Sequence, residues 1–209
     1  MSREWFRKSS WTAEDREDFF AHLERARPSS RGQYLRLQAS HLQTAGLHRE
    51  ALELLETLFE KHPEQAELAI AHLQKAECLG ALGRVSEAIE EFRAALHAED
   101  EFPSAQTYAW IEFPWFAVKH HARQLYDEAV RTLGRPDRSP LFPVDRYRIN
   151  AIHSLISDEL GDAPAARDYA RSALAAEAET RSGFRYHARL GLGADPDPEI
   201  HARVVALAR

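Results

Sequence analysis

Apolar residues recur three or four positions apart through most of this chain, in segments that glycine and proline separate. This spacing is typical of amphipathic helices. The first segment, 12–27, is predicted as a helix that Thr12 caps, and Pro28-Ser29-Ser30 is predicted to end it. Eight further helices are predicted in four pairs, at 33–45 with 48–62, 67–82 with 86–98, 104–121 with 127–133, and 145–160 with 164–179.

Small residues recur in one register through these pairs. A two-helix hairpin cannot bury its apolar faces alone, and its helices need small residues where their backbones approach. Ala51, Ala88, Ala129 and Ala166 are separated by 37, 41 and 37 residues, and a second set with the same gaps lies twelve residues upstream, at Ala39, Ala76, Ala117 and Ser154. We therefore predict an all-α fold of about four stacked hairpins in a single domain, 1–209, with repeats at 31–63, 64–101, 103–136 and 142–180, a capping helix at 12–27 and a C-terminal cap at 181–209.

The third pair and the C-terminal cap are irregular. Pro114 is predicted to kink or break its helix, and 135–144 contains three prolines and is predicted as a loop. The segment 181–193 is predicted as an extended, ordered tail that buries its bulky residues, Phe184, Tyr186, Leu190 and Leu192. Asp197 and Pro198 then begin a short final helix.

The hairpins resemble tetratricopeptide repeats. In that family the first helix carries a small residue at its middle, a glycine lies near the turn, an alanine opens the second helix and a proline follows. The first repeat carries the whole pattern, with Ala39, Gly46, Ala51 and Pro63. The second has Ala76, Gly83 and Ala88 with Asp100 in the proline position, and the fourth has Ser154, Gly161 and Ala166. The third repeat keeps only Ala117 and Ala129, with Gln124 in the glycine position. The resemblance implies a right-handed α-solenoid that binds a protein or peptide in its concave face.

The whole chain is also similar to an uncharacterised group of bacterial repeat proteins. The shared features are a Trp-Phe-Arg start, the stretch 31–35 and the segment Ser-Gly-Phe-Arg-Tyr-His at 182–187. This similarity implies a bacterial source and the same helical-repeat fold.

The tetratricopeptide resemblance also implies which residues face the groove. By register these include Arg36, Ser40, Gln43, Glu77, His121, Arg148 and Asp158. The alternative is that these side chains only solvate the groove or pack against neighbouring repeats. The chaperone-binding subfamily needs an amide and a basic residue where this chain has Ser40 and Ile152, so binding of chaperone tails is not predicted.

Two further features have both a binding and a structural interpretation. The aromatic group at 108–116 includes Tyr108 and Trp110, which are candidate interface anchors, although core packing around Pro114 is the favoured interpretation. Bases predominate between Lys119 and Arg148, which favours an acidic partner, but a solvated helix face is the simpler interpretation.

Composition narrows the function classes. The formal charge of −6 argues against a nucleic-acid partner. The chain has no apolar run of membrane-spanning length and no secretory pattern at its start, so we predict a cytoplasmic protein without a membrane partner. Cys78 is the only cysteine, which excludes an internal disulfide.

The motif search favours binding over catalysis. No metal-ligand spacing, phosphate loop or nucleophile elbow occurs, so no cofactor and no metal are predicted. The leading hypothesis is a non-enzymatic adaptor that binds a protein or peptide. The alternatives are an immunity protein that neutralises a toxin by direct binding and, more remotely, a small enzyme with a site around Arg185, Tyr186 and His187.

Overall fold

The computed structural model describes residues 4–187, 189–193 and 197–209. These residues form α-helices and one 3₁₀ turn, Arg123–Leu125, and contain no strand, which confirms the all-α prediction. The helices are α1 (Ala13–Arg25), α2 (Pro28–Thr44), α3 (His48–Lys61), α4 (Gln65–Ala81), α5 (Val85–Glu101), α6 (Ala109–Lys119), α7 (Tyr126–Leu133), α8 (Pro143–Glu159), α9 (Ala163–Glu177) and α10 (Pro198–Leu207).

The chain divides into two compact units, Met1–Ala109 and Trp110–Arg209. In the N-terminal unit α2 packs against α3, α4 packs against α5, and both α2 and α3 contact α4. In the C-terminal unit α8 packs against α9, and α10 contacts both of them. The division falls at the first residue of α6.

The small-residue register is buried throughout. All eight predicted positions are at most 1 % exposed, and they are Ala39, Ala51, Ala76, Ala88, Ala117, Ala129, Ser154 and Ala166. The Ser154 hydroxyl donates to the Ala166 carbonyl at 2.8 Å, so the one polar member has its hydrogen bond inside the hairpin. A larger side chain at any of these positions would have to displace a packed neighbour.

The first helix of each hairpin ends in the same backbone motif. Gly46, Gly83 and Gly161 adopt a positive φ, and the next residue donates its amide to the carbonyl five residues back, as Leu47 does to Leu42 at 2.9 Å. This is the Schellman motif, in which a left-handed residue satisfies the free carbonyls of a helix end. In the third hairpin the left-handed residue is His121, with a φ of 50°, and Ala122 donates to Ala117 at 2.9 Å.

The left-handed residue of the third hairpin therefore lies three residues before Gln124, which is the residue that the repeat register places in the glycine position. Helix α6 ends early, and the 3₁₀ turn fills the distance to α7. No glycine marks this end, so the glycine register did not locate the turn, although the predicted helix end at 121 lies two residues from Lys119.

Substitutions at His121 test this turn. We expect His121→Val to lower the free energy of unfolding by about 2 kcal/mol, because a β-branched residue is strained in the left-handed region. His121→Gly relieves that strain while losing a side-chain hydrogen bond, so its change is expected to stay within about 1 kcal/mol. Denaturant midpoints provide the measurement. Gln124→Val is the matched control, and a larger effect there than at His121 would contradict the assignment.

Proline and threonine positions account for two of the other shifts in helix boundaries. Pro28 occupies the first turn of α2 instead of separating two helices, a position where its missing amide leaves no bond unmade. Helix α6 continues through Pro114 without a break. It begins at Ala109 and not at 104, because the buried Glu99 carboxylate accepts from the Thr107 amide at 2.9 Å and Thr107 Oγ1 accepts from the Ala109 amide.

The aromatic group divides between core and surface. Phe113 is fully buried, and Trp110, Trp115 and Phe116 are nearly so, whereas Tyr108 is partly exposed. Core packing therefore describes most of the group.

Near the start of the chain, Trp5 contacts Phe19 and Tyr34 at ring-centroid distances of 5.3 and 4.8 Å, so the aromatic residues before α1 pack onto the N-terminal unit.

The prediction that 181–193 buries its bulky residues is wrong. Phe184 is 41 % exposed and Tyr186 is 83 % exposed, and Leu190 is exposed as well. The segment is not extended, because successive backbone hydrogen bonds fold it into turns, from the His187 amide to the Phe184 carbonyl at 3.2 Å and from the Leu190 amide to the His187 carbonyl at 2.9 Å.

The predicted cap on the last helix is confirmed, since the Asp197 side chain accepts from the Ile200 amide at 3.1 Å.

Candidate partner-binding surfaces

The predicted groove residues of the N-terminal unit are paired with one another across two helices. Arg36 on α2 forms a half-buried ion pair with Glu67 on α4. Two turns further along, Gln43 Nε2 donates to Glu77 Oε2 at 2.6 Å, and Glu77 also lies on α4. Ser40, between them on α2, is half-buried. These contacts hold the polar side chains of α2 and α4 in place where the two helices lie side by side.

The C-terminal unit repeats this arrangement between α6 and α8. Arg148 donates two hydrogen bonds to Glu112, at 2.6 and 2.8 Å. Its guanidinium also lies over the Trp115 ring, 4.8 Å from the centroid. A bidentate contact with a stacked face is a geometry that arginine provides and lysine does not. The Arg148 guanidinium is thus held at its edge by Glu112 and on its face by Trp115.

The remaining candidates differ in accessibility. Asp158 is exposed near the end of α8, and Tyr108 is partly exposed. Trp110 lies in the core of the C-terminal unit, which leaves it little surface for a partner.

His121 belongs to a polar cluster centred on Glu159, the last residue of α8. The Glu159 carboxylate accepts from Tyr126 Oη at 2.8 Å, His121 Nδ1 at 2.8 Å, Arg123 Nε at 3.1 Å and an Arg203 guanidinium nitrogen at 3.1 Å. The carboxylate side chain is only 8 % exposed. It joins the turn after α6, the 3₁₀ turn, α7 and α10 to the end of α8.

These contacts change the acidity of the cluster. Burial alone raises the pKa of Glu159, but the hydrogen bonds from Tyr126, His121, Arg203 and Arg123 together lower it to about 2. Burial first, and then the hydrogen bond to Glu159, raise the pKa of Tyr126. Sequence reasoning missed Glu159, because its donors lie 33 to 44 residues away and no local spacing brings them together.

The turns at 181–193 form a surface that the sequence did not predict as exposed. Phe184 stacks on Phe142 with ring centroids 5.2 Å apart, and Val144 donates its amide to Gly191 at 3.0 Å. The buried Ser182 hydroxyl donates to the His187 carbonyl at 2.6 Å. We call residues 181–187 and 189–190 the arginine–aromatic loop, because they display Tyr186 together with Arg181, Arg185 and Arg189, all exposed.

A second surface feature is a cleft between α3 and α5 in the N-terminal unit. Two cavities of about 310 and 300 Å³ share Glu56 and Arg84 in their lining. Their lining carries both signs of charge. The carboxylates are Glu53, Glu56, Glu87, Glu90 and Glu91, the bases are Arg49, Lys75 and Arg84, and the leucines are Leu52, Leu79 and Leu82. We call this feature the α3–α5 cleft.

The remote alternative from the sequence is a small enzyme with a site around Arg185, Tyr186 and His187. His187 is exposed on the arginine–aromatic loop. Among residues 4–187, 189–193 and 197–209, no three His, Cys, Asp or Glu side chains are placed to hold a metal ion. None of the helices in that part of the chain is long and apolar enough to cross a membrane.

A scan of the chain against protein-family models found no match, and no curated protein or solved structure matches it significantly.

Proposed function

We propose that this chain is a bacterial, cytoplasmic adaptor without catalytic activity, a right-handed tetratricopeptide-like solenoid that binds a protein or peptide partner. The partner would contact the first-helix faces of each unit, α2 with α4 in the N-terminal unit and α6 with α8 in the C-terminal unit. The proposal is supported by the recurrence of the buried small-residue register in every hairpin and by the Schellman turn that ends each first helix.

The observation that carries the binding site is the fixed set of polar side chains on these helices. Arg36 with Glu67, Gln43 with Glu77, and Arg148 with Glu112 are all held across helices. Binding normally has to immobilise interface side chains, at about 0.5 to 1.5 kcal/mol each. Side chains that are already fixed avoid much of this loss, so a groove built from them is pre-organised for a partner.

Exchange of the paired charges tests the groove without breaking the pairs. The variant Arg36→Glu/Glu67→Arg keeps opposite charges on α2 and α4 but inverts their positions, and Arg148→Glu/Glu112→Arg does the same for α6 and α8. We expect each exchange to weaken capture of a partner from the source cell by at least about tenfold, since interfacial charges set register and specificity. Quantitative affinity capture with mass spectrometry is the measurement.

A matched control is the exchange Arg16→Glu/Glu53→Arg. That ion pair, 2.9 Å between α1 and α3, is exposed and lies off the first-helix faces. Circular dichroism is the measurement that checks whether all three exchange variants fold. A partner that is captured equally by the wild type and by both first-helix exchanges would rule out the proposed groove.

A further inference from the structure

Residues 4–11, which precede α1, lie on the N-terminal unit in the manner of a bound peptide, and we call them the N-terminal arm. The arm forms no helix or strand of its own. The Lys8 amide donates to Gln38 Oε1 at 2.9 Å, and Gln38 Nε2 donates to the Lys8 carbonyl at 2.7 Å. Gln38 is fully buried. One side-chain amide therefore satisfies both backbone groups of one arm residue, a contact that does not depend on the side chain at that position.

An aromatic pocket receives the start of the arm. The Trp5 ring stacks on His22 at a centroid distance of 5.3 Å, and it also contacts Phe19 and Tyr34 at 5.3 and 4.8 Å. Phe6 packs beside it, 4.9 Å from the Tyr34 ring. The pocket is formed by α1 and α2 together, since it takes residues from both helices. Aromatic pairs of this kind contribute about 0.5 to 1.5 kcal/mol each beyond the area that they bury.

An acidic pair receives the lysine of the arm. Lys8 Nζ lies 2.8 Å from Asp18 Oδ2 and 3.2 Å from Asp15 Oδ1. Hydrogen bonds from the Ser10 hydroxyl and then from the Thr12 amide lower the pKa of Asp15 to about 2, so this carboxylate is charged at neutral pH. Backbone hydrogen bonds that give affinity, with side-chain pockets beside them that give specificity, are how peptide-binding domains recognise extended segments.

The arm is held less completely than the helices beneath it. At its end, the Trp11 indole nitrogen is buried and donates no hydrogen bond in the described part of the chain. A buried donor without a partner costs about 1 to 3 kcal/mol, and release of the arm would return this group to water. Chain ends are also among the segments that open at the lowest free energy. A segment that makes the same contacts without this cost can therefore replace the arm.

We propose that α1 and α2 form a peptide-binding site, that the arm is its resident ligand, and that a segment of a partner protein replaces the arm. The partner segment carries an aromatic residue followed three positions later by lysine or arginine, as Trp5 is followed by Lys8. The residues that contact it are Asp15, Asp18, Phe19, His22, Tyr34 and Gln38. This site uses none of the charge pairs of the first-helix faces, so its failure in a test would leave that groove untouched.

Binding of a synthetic peptide to the full-length chain is the first test. The probe is a fluorescent peptide with the sequence of residues 4–10, Glu-Trp-Phe-Arg-Lys-Ser-Ser, and fluorescence anisotropy is the measurement. A tethered arm competes at an effective concentration of about 1 mM. We therefore expect the variant Trp5→Ala/Lys8→Ala, whose own arm is weakened, to bind the probe at least about tenfold more tightly than the wild type does.

Two results would overturn the proposal. One is the absence of probe binding to the arm variant at about 1 mM probe, and the other is equal binding by the variant and the wild type. Circular dichroism checks that the double variant folds, and Lys8→Ala alone, which keeps the Trp5 contacts, serves if it does not.

Changes in the probe test the recognition pattern without altering the protein. Against the arm variant, probes carrying Trp5→Ala or Lys8→Glu are expected to bind at least about tenfold more weakly than the parent probe, because each loses one of the two pockets. The matched control is a probe with Arg7→Ala, which should bind within about twofold, since the Arg7 side chain is 51 % exposed in the docked arm. Equal binding of all four probes would exclude this pattern.

A charge reversal in the site completes the assignment. Asp18→Lys, added to the arm variant, should weaken binding of the parent probe at least about tenfold and should prefer the Lys8→Glu probe over the parent. Glu17→Lys, the matched control at the neighbouring exposed position, should leave both affinities unchanged. Sedimentation velocity excludes the arm of a second copy as the occupant. A wild-type dimer that Trp5→Ala/Lys8→Ala abolishes would assign the site to that arm and overturn the assignment to a partner protein.

Discussion

Replacing Glu159 with leucine is expected to lower the free energy of unfolding of the C-terminal unit by about 3 kcal/mol, because it removes one side of a nearly buried charge cluster. Three cationic or titratable donors, His121, Arg123 and Arg203, lose their acceptor, and the Tyr126 hydroxyl is left buried without its hydrogen bond. A buried donor without a partner accounts for about 1 to 3 kcal/mol of such a loss. Chemical denaturation followed by fluorescence and circular dichroism is the measurement.

Two companion variants separate charge from hydrogen bonding. Glu159→Gln keeps an acceptor for Tyr126 but removes the negative charge, so we expect an intermediate loss of about 1 to 2 kcal/mol. Asp158→Leu changes the neighbouring carboxylate, which is exposed, and should alter stability by no more than about 0.5 kcal/mol. A Glu159→Leu variant as stable as Asp158→Leu would show that the cluster contributes nothing to the fold.

The same cluster predicts an acid-dependent loss of stability. The pKa of Glu159 falls from an ordinary value of 4.5 to about 2 in the folded chain. A carboxyl with a lowered folded pKa stabilises the fold at pH values above its unfolded pKa, and that contribution is lost as the pH falls toward the folded pKa. The stability difference between the wild type and Glu159→Gln should therefore be constant above about pH 5 and shrink between about pH 4.5 and 2. Because two of the donors, His121 and Arg123, are exposed to solvent, we expect the titrating part to be about 1 kcal/mol. A difference that does not change with pH would contradict this assignment.

The sequence predicted the repeat and most of the helices because both depend on local spacing. Alanine and serine at a fixed register, glycine at three turns, and the capping residues Thr12 and Asp197 are short-range signals, and each corresponds to a buried position, a left-handed turn or a cap. The left-handed turn after α6 was not predictable from the glycine pattern, although the predicted helix end at 121 lies two residues from Lys119. The left-handed residue is His121, whose Nδ1 lies 2.8 Å from the carboxylate that Glu159 brings from α8.

The candidate surfaces were less predictable than the fold. Register placed Arg36 and Arg148 on first helices, but their partners, Glu67 and Glu112, lie 31 and 36 residues away in sequence, so only the packed structure brings them together. Hydrophobic content suggested that 181–193 is buried, whereas the turns leave Tyr186 outside. Apolar composition predicts the capacity to be buried, and whether that capacity is used depends on the space that other elements leave.

Replacing Gly32 with alanine is expected to lower the free energy of unfolding of the N-terminal unit by about 2 kcal/mol. Helix propensity alone would raise it, because alanine favours a helix more than glycine does. Gly32 lies inside α2 and is buried. In an exposed helix interior, alanine in place of glycine stabilises by about 1 kcal/mol. Here a Cβ would overlap Glu64 Oε2 and lie 2.8 Å from the His62 carbonyl oxygen. The Glu64 side chain can rotate away, but the His62 carbonyl belongs to the backbone, so the 62–64 connection must shift.

A double variant tells the two contacts apart. Glu64 Oε2 is buried and accepts no hydrogen bond in the described part of the chain, so Glu64→Ala alone should be close to neutral or slightly stabilising. Gly32→Ala/Glu64→Ala removes the nearer clash and keeps the clash with His62, and should therefore recover part, not all, of the lost stability. Ser29→Ala, exposed in the first turn of the same helix, is the propensity control. If Gly32→Ala proves more stable than the wild type in urea unfolding, helix propensity outweighs the close approach of α2 to the start of α4, and the packing assigned to this glycine is wrong.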